Sequence, residues 1–378
     1  MVSLKSLFIN FRYMIHQPKP LLVVRTLYNY ARYFFSDRPR LRYVDIIMDY
    51  ACNLKCEHCS CETLKNPSRI KLTPQDWGDV ASQCEKLGSI IFGVQGGEPL
   101  VYPKIEDVIR NLNPKRNFIS VKTNGTIASS ELFRKLKECG VDSITVGLGP
   151  IPNEFEFENY NVITRKLKNA FATSLKSVEM IAQAGIKPMM SVVISRENIT
   201  SKVFQNVIEL SKKYNSVLNC ALAVPVGSWE TNYELMLTQD DRKRLNETLK
   251  KNPHVRTDFD SNWLVSGCGA CKEKIYISPY GDVLPCPFIH ISFGNVLEEP
   301  LRDIWRRACE TNTFSEYAPV CLAAEDREFL SYIDIAKKKG IKLPIRFDDD
   351  ELTELLSTTY AMRTASHEKN VEIGETEK

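Results

Sequence analysis

Between Tyr43 and about Asn252 the chain alternates two hydrophobic patterns. Short apolar runs at 43–50, 89–95, 117–123, 142–148, 188–194 and 217–224 predict strands. Between them, stretches centred near 74–87, 129–139, 169–184 and 201–214 carry the period of an amphipathic helix, and Gln239 to Lys251 forms a last one. Gly88, Gly140 and Gly185 each close a helical pattern just before a strand, as a left-handed C-cap requires. Repeated strand–helix units predict an α/β fold of parallel strands covered by helices.

The flanks differ from this repeat. Within Pro20 to Ser36 the polar residues Arg25, Asn29, Arg32 and Ser36 recur at helical spacing, leaving a broad face of Leu, Val, Tyr and Phe. Two readings stand for this basic amphipathic helix: packing across the barrel or a partner, or lying on anionic lipid. Beyond Asp326 the sequence is helical and charged, with Asp348 to Glu351 placed as a helix N-terminus, and 365–378 reads as a disordered tail. The boundaries expected are 1–42 for the helical extension, 43–255 for the repeat, 262–325 for a small cysteine-rich unit, 326–364 for a helical segment and 365–378 for the tail.

Composition narrows the class. A chain of 378 residues with 43% hydrophobic and 26% charged residues is an ordinary globular protein of more than one unit. A net charge of +3 argues against a dedicated nucleic-acid binder. The charge is unevenly spread: residues 1–42 carry eight basic residues against Asp37 alone, a net +7 that leaves −4 for the rest. Twelve cysteines in clusters, with no secretory signal and no apolar run of spanning length, predict a cytoplasmic, reducing setting in which thiols hold metal, with possible peripheral membrane contact through 1–36.

The chemistry concentrates after the first strand, where Cys52, Cys56 and Cys59 fall in a C-x3-C-x2-C loop with His58 before the third thiol. Soft thiolates on a short loop suit an iron–sulfur cluster, and three ligands leave it open. Buried apolar thiols or an incomplete zinc knuckle are the other readings. Cys61 reads as a packed thiol more readily than as a residue at the rim. The second strand runs into Gln95-Gly96-Gly97-Glu98-Pro99, the third into Thr123-Asn124-Gly125, and the fifth carries Ser191 and ends at Arg196.

The cysteine loop together with Gly96-Gly97-Glu98-Pro99 resembles the motifs of radical S-adenosylmethionine (radical SAM) enzymes. The resemblance implies a partial (β/α)6 TIM-like barrel and a 4Fe-4S cluster on Cys52, Cys56 and Cys59, with SAM chelated to its open iron. It also implies contact of Gly96, Gly97, Glu98 and Pro99 with the SAM amino group. Asn124 reads as a SAM or substrate contact or as an Asn-Gly turn residue, Ser191 and Arg196 as SAM contacts or structural residues, and His58 as a neighbour of the cofactor. Gly147-Leu148-Gly149-Pro150 departs from the family's polar S-x-D-G-like pattern at the fourth strand. The polar, aromatic stretch 153–169 reads as a cover for the site or a surface crossover.

A second array, Cys268, Cys271 and Cys286, spans a small Pro-Tyr-Gly-Asp hairpin and resembles the opening of the SPASM or twitch auxiliary-cluster domain. Cys321 completes the expected ligand set in preference to Cys309, which lies in a helical pattern; four-cysteine zinc is the competing reading. Cys84, Cys139 and Cys220 read as core thiols. The resemblance implies an enzyme whose reduced cluster, fed by a flavodoxin- or ferredoxin-like donor, splits SAM to a 5′-deoxyadenosyl radical that abstracts hydrogen from a substrate. A small-molecule or lipid-linked substrate is expected, on the strength of the basic N-terminus. A ribosomal-peptide maturase and a non-enzymatic iron–sulfur carrier are the alternatives.

Overall fold

The computed structural model describes residues 19–35, 40–150, 170–258 and 267–357. The expectations for the cover at 153–169 and the tail at 365–378 lie outside the described residues. The core is a parallel sheet of β1 (Tyr43–Ile47), β2 (Ile91–Gln95), β3 (Phe118–Thr123), β4 (Ser143–Pro150), β5 (Lys187–Ile194) and β6 (Val217–Leu222), paired in chain order. All six predicted strands are present, and a seventh, β7 (Val255–Thr257), pairs parallel with β6. The helices α2 (Pro74–Lys86), α3 (Ile105–Asn111), α4 (Ser130–Glu138), α5 (Ala170–Gln183), α6 (Lys202–Lys213) and α7 (Gln239–Lys251) connect the strands. They bury apolar stripes such as Trp77, Val80 and Cys84 or Phe133 and Leu136, so the strands are apolar toward the helices. Side chains on the other face line the lumen.

The cysteine-rich unit does not stand apart from this sheet. Its first strand, β8 (Lys274–Ile277), pairs parallel with β1 from Tyr43 to Ile46 and continues the sheet on the side away from β2. Its hairpin partner β9 (Val283–Leu284) is the antiparallel edge. Eight parallel strands therefore surround the lumen, two more than the repeat predicts, and the Lys274 ammonium donates to the Asp258 carbonyl where β7 and β8 approach. A buried ion pair fastens the junction: Arg42 Nε donates to Glu273 Oε2 at 2.9 Å.

The N-terminal helix α1 (Pro20–Phe34) lies across the N-terminal ends of the strands. Lys19 reaches Asp142 and the carbonyls of Asn117 and Gly140, which precede β3 and β4. Arg25 donates to the Ser89 and Arg116 carbonyls and to Asn117 Oδ1, and Asn29 donates to the Gly88 carbonyl. Leu22 is fully buried against Ile90 and Phe118. Packing across the barrel, the first reading of this helix, is what its inward face shows.

Candidate active site and cluster cavity

All strands around the lumen are parallel, so the loops after β1, β2, β3 and β6 meet at one end. That end carries the chemistry, as in barrel enzymes generally. The cysteine loop after β1 and the Gly-Gly loop after β2 are locked backbone to backbone: Gly97 N–H donates to the Asp49 carbonyl at 3.0 Å, and Glu98 N–H to the Ala51 carbonyl at 2.9 Å. A Cβ at Gly96 would lie 2.3 Å from Asp49 O, and one at Gly97 2.2 Å from Ala51 O. The two glycines are needed so that this loop can touch the cysteine loop, a reason closer to hand than approach to a ligand. The loop after β6 packs on the other side. Gly227, with φ of +64°, sits where any Cβ would strike Cys59 O, and Ser228 N–H donates to that carbonyl.

Glu98 is buried and does not line the cavity. Leu100 N–H and Thr123 Oγ1 donate to its Oε1, and Asn124 N–H donates to its Oε2, at 3.0, 2.7 and 2.7 Å. It therefore ties the β2 loop to the end of β3. Burial pushes its carboxyl pKa up, against these three bonds. Asn124 joins a ring of side chains beside the first thiol: its Nδ2 donates to Asn53 Oδ1 at 3.0 Å, and Thr126 donates to its Oδ1. Ser191 and Asn124 line the cavity. Arg196 does not. A turn in which Ser195 N–H donates to Asn198 Oδ1, and Asn198 in turn to Val193 O, directs it outward, where it is exposed and 3.6 Å from Glu234. Its expected contact with SAM is set aside on that geometry.

Cys52, Cys56 and Cys59 are half-buried and face the cavity. Burial and the neighbouring thiols push Cys56 up to about 12. Cys61 is half-buried with its sulfur 3.7 Å from that of Cys59, and the contact between them holds the Cys59 thiol pKa down. Cys61 also lines the cavity, so it is both a packed thiol and a residue of the wall. Burial lowers His58 to about 4, and its ring lies 5.7 Å from that of Trp229.

The second array opens into the same cavity, which measures about 550 Å³. Cys268, Cys286 and Cys321 line it, whereas Cys271 is buried behind the wall. There Trp305 Nε1 and Cys309 Sγ both approach the Cys271 carbonyl, at 2.6 and 3.2 Å. Burial, with Cys268 and Cys286 close by, drives the Cys321 thiol pKa well up, and burial with Cys268 beside it brings Cys286 to about 12. Cys309 belongs to helix α8 (Leu301–Glu310), and Cys321 caps the short helix α9 (Leu322–Glu325). Among the described residues no three His, Cys, Asp or Glu side chains converge as the ligands of a single ion would. Soft sulfur donors facing a shared space suit an iron–sulfur cluster or zinc.

Sequence reasoning missed the lumen floor. Tyr43 Oη donates to Asp45 Oδ1 at 2.8 Å, and Lys122 Nζ lies 3.1 Å from the same oxygen. Burial pushes the Asp45 carboxyl up, with Lys122 opposing; Lys122, though desolvated, is held up by Asp45 and Tyr43. An Asp and a Lys inside otherwise apolar strands were the available signal. Trp229 and Arg256 also line the cavity and were not singled out.

A barrel whose mouth carries a three-thiol loop, with a second thiol set lining the same cavity, has the soft donors that iron–sulfur clusters use. Residues 46–203 match the radical SAM superfamily and 268–324 match an iron–sulfur cluster-binding domain, SPASM. The chain therefore carries a radical SAM domain and a SPASM domain; such domains bind 4Fe-4S clusters and S-adenosylmethionine. It is 24% identical over 285 residues to the AdoMet-dependent heme synthase of Methanosarcina barkeri, covering 68% of this chain and 80% of that one. It is 23% identical to the PqqA peptide cyclase of Granulibacter bethesdensis, covering 69% and 72%. Streptococcus suis SuiB bound to S-adenosylmethionine shares the fold, with a TM-score of 0.56 at 17% identity over 73% of this chain and 68% of SuiB. Among the described residues no helix is long and apolar enough to cross a membrane.

Proposed function

We propose that this chain is a radical SAM enzyme whose substrate sits in the lumen between the two thiol arrays. The observation that carries the reading is that Cys52, Cys56 and Cys59 share one cavity with Cys268, Cys286 and Cys321. In this reading Cys52, Cys56 and Cys59 would hold a cluster that supplies one electron to break the S–C5′ bond of SAM, giving methionine and a 5′-deoxyadenosyl radical that takes hydrogen from the substrate, and Cys268, Cys286 and Cys321 would hold a second cluster as an electron relay. The chain's own residues bind and orient. The Gly96-Gly97 backbone offers acceptors to the SAM ammonium, while Glu98 and Pro99 hold that loop. Asn124 and Ser191 offer polar contacts at the mouth, and His58 with Trp229 gives an aromatic wall. Lys122, kept charged by Asp45, is a partner for an anionic or strongly accepting substrate group.

A cavity of this size accommodates a small molecule beside SAM. The case for a lipid-linked substrate rested on the basic N-terminus; α1 lies at the opposite end of the barrel from the mouth, so that support is removed. A peptide substrate is the second reading, favoured by the likeness to a PqqA peptide cyclase.

Anaerobic incubation with SAM and dithionite tests the enzymatic reading. The wild type should release 5′-deoxyadenosine, and Cys56→Ala should fall to the protein-free background. Equal rates from the two proteins would sink it and leave an iron–sulfur carrier.

A further inference from the structure

We propose that the outer face of α1 is a docking surface for an anionic lipid bilayer. An amphipathic helix on a soluble protein ordinarily turns its apolar stripe inward. Here the helix is turned the other way. Arg25, Thr26 and Asn29 face the barrel, whereas Leu21, Val24, Leu27 and Tyr28 are 55% to 63% exposed and Phe35, just past its end, is 90% exposed. These outward positions follow the three- and four-residue spacing of one helix face.

The orientation is enforced. Arg25 donates to three oxygens at the N-terminal ends of β2 and β3, and Asn29 to a fourth. Rolling the helix over would strand those donors and acceptors together with the buried ammonium of Lys19 beside Asp142. Arg25 and Asn29 are thus spent on the barrel, and the apolar face has no cover among the described residues.

Charge selects the occupant. Arg32 borders the apolar face with its guanidinium 5.6 Å from the Tyr28 ring centre. Arg40 lies close enough for Arg32 to weaken its charged form, after burial itself, and its Nε has no hydrogen-bond partner among the described residues. Neither arginine has a carboxylate partner among the described residues, unlike Lys19 and Arg42, which are paired with Asp142 and Glu273. An apolar stripe bordered by unneutralised arginines and a tyrosine is the chemistry of an interfacial helix on anionic lipid. A second copy is a poorer fit: one helix face of about 22 Å by 10 Å offers far less than the ~800 Å² per partner of a standard interface. Docked in this way, the protein turns the C-terminal ends of its strands, and the mouth of the cavity, toward water.

The test uses the full chain and sucrose-loaded vesicles of phosphatidylcholine, with or without about one third phosphatidylserine. The wild type should sediment with the anionic vesicles and bind them roughly tenfold or more tightly than the neutral ones. Val24→Asp with Leu27→Asp should abolish sedimentation while leaving the melting temperature and 5′-deoxyadenosine release unchanged, since both side chains are exposed. Arg32→Glu should weaken only the anionic preference. In Tyr28→Trp, the new indole should shift to the blue on adding anionic vesicles. The proposal is overturned if the wild type stays in the supernatant, or if the double Asp variant sediments equally, which would move the contact elsewhere. It is also overturned if the indole of Tyr28→Trp is already blue-shifted without lipid, or if light scattering shows a dimer that the double Asp variant splits. Those outcomes would mean that residues of this chain, or a second copy, cover the face.

Discussion

Acidifying the protein from pH 7 to pH 5 should cost about 2 kcal/mol through one side chain, His290. Its imidazole is fully buried, and burial lowers its pKa from 6.5 to about 4. Nε2 lies 3.3 Å from the Pro287 carbonyl, while Nδ1 has no hydrogen-bond partner among the described residues, so a second proton there would find no acceptor among them. Because the folded-state pKa lies below the unfolded one, the unfolded chain binds more protons between pH 6.5 and 4, and stability falls as pH falls through that window. At 1.36 kcal/mol per pKa unit, this linkage is nearly silent at pH 7, removes about 2 kcal/mol by pH 5 and levels off near 3 below pH 4. Gln at this position can still donate to Pro287 O and does not titrate. Anaerobic urea unfolding of the cluster-loaded wild type and His290→Gln, at both pH values, gives a double difference in which other histidines and cluster loss cancel. The wild type should lose about 2 kcal/mol more than the variant between the two pH values. Losses that agree within about 0.5 kcal/mol would refute the reasoning.

Gly97→Ala would place a methyl 2.2 Å from Ala51 O and 2.5 Å from Tyr50 O, so the two loops must part. SAM affinity by equilibrium dialysis should fall about tenfold or more, with a stability loss on the order of 2 kcal/mol; wild-type affinity would show that the loop contact does not shape the site. Iron analysis should return about eight irons per reconstituted chain, and Cys286→Ala should retain about four. That variant should still cleave SAM; about four irons with one stoichiometric zinc in the wild type would make the second array a zinc staple.

Much of the site was legible because its chemistry is local. Cys52, Cys56 and Cys59 fall within one loop, and a loop after a strand in a parallel sheet has only one end of the barrel to occupy. The Gly96-Gly97 pair was equally visible, but its reason was not. Its van der Waals partners, Asp49 O and Ala51 O, come from the preceding unit, and no local pattern records which backbone will lie against which. Glu98 and Arg196 show the same limit in opposite directions. Both are charged residues at strand ends, yet one is drawn inward by Thr123 and Asn124 and the other is turned out by Asn198. The difference lies in partners 25 residues away in one case and a two-residue turn in the other. Asp45 and Lys122 could have been found, since a charge inside a strand covered by helices must face a lumen or a partner.

The two larger surprises share a cause. The hairpin around Cys286 read as the start of an appended unit because turn residues and cysteines mark it, yet its first strand completes the sheet beside β1. Parallel pairing leaves no short turn to announce it, and β8 lies more than two hundred residues after its partner. For α1 the amphipathic period was read correctly and the direction of its faces was not fixed by it, since the same stripe can be solvated or spent on acceptors. What decides is the row of unpaired carbonyls at Gly88, Ser89, Arg116, Asn117 and Gly140 that a parallel barrel exposes at the N-terminal ends of its strands. Lys19 just before the helix, with Arg25 and Asn29 on it, satisfies those acceptors, and by doing so commits the apolar side of the helix to the outside.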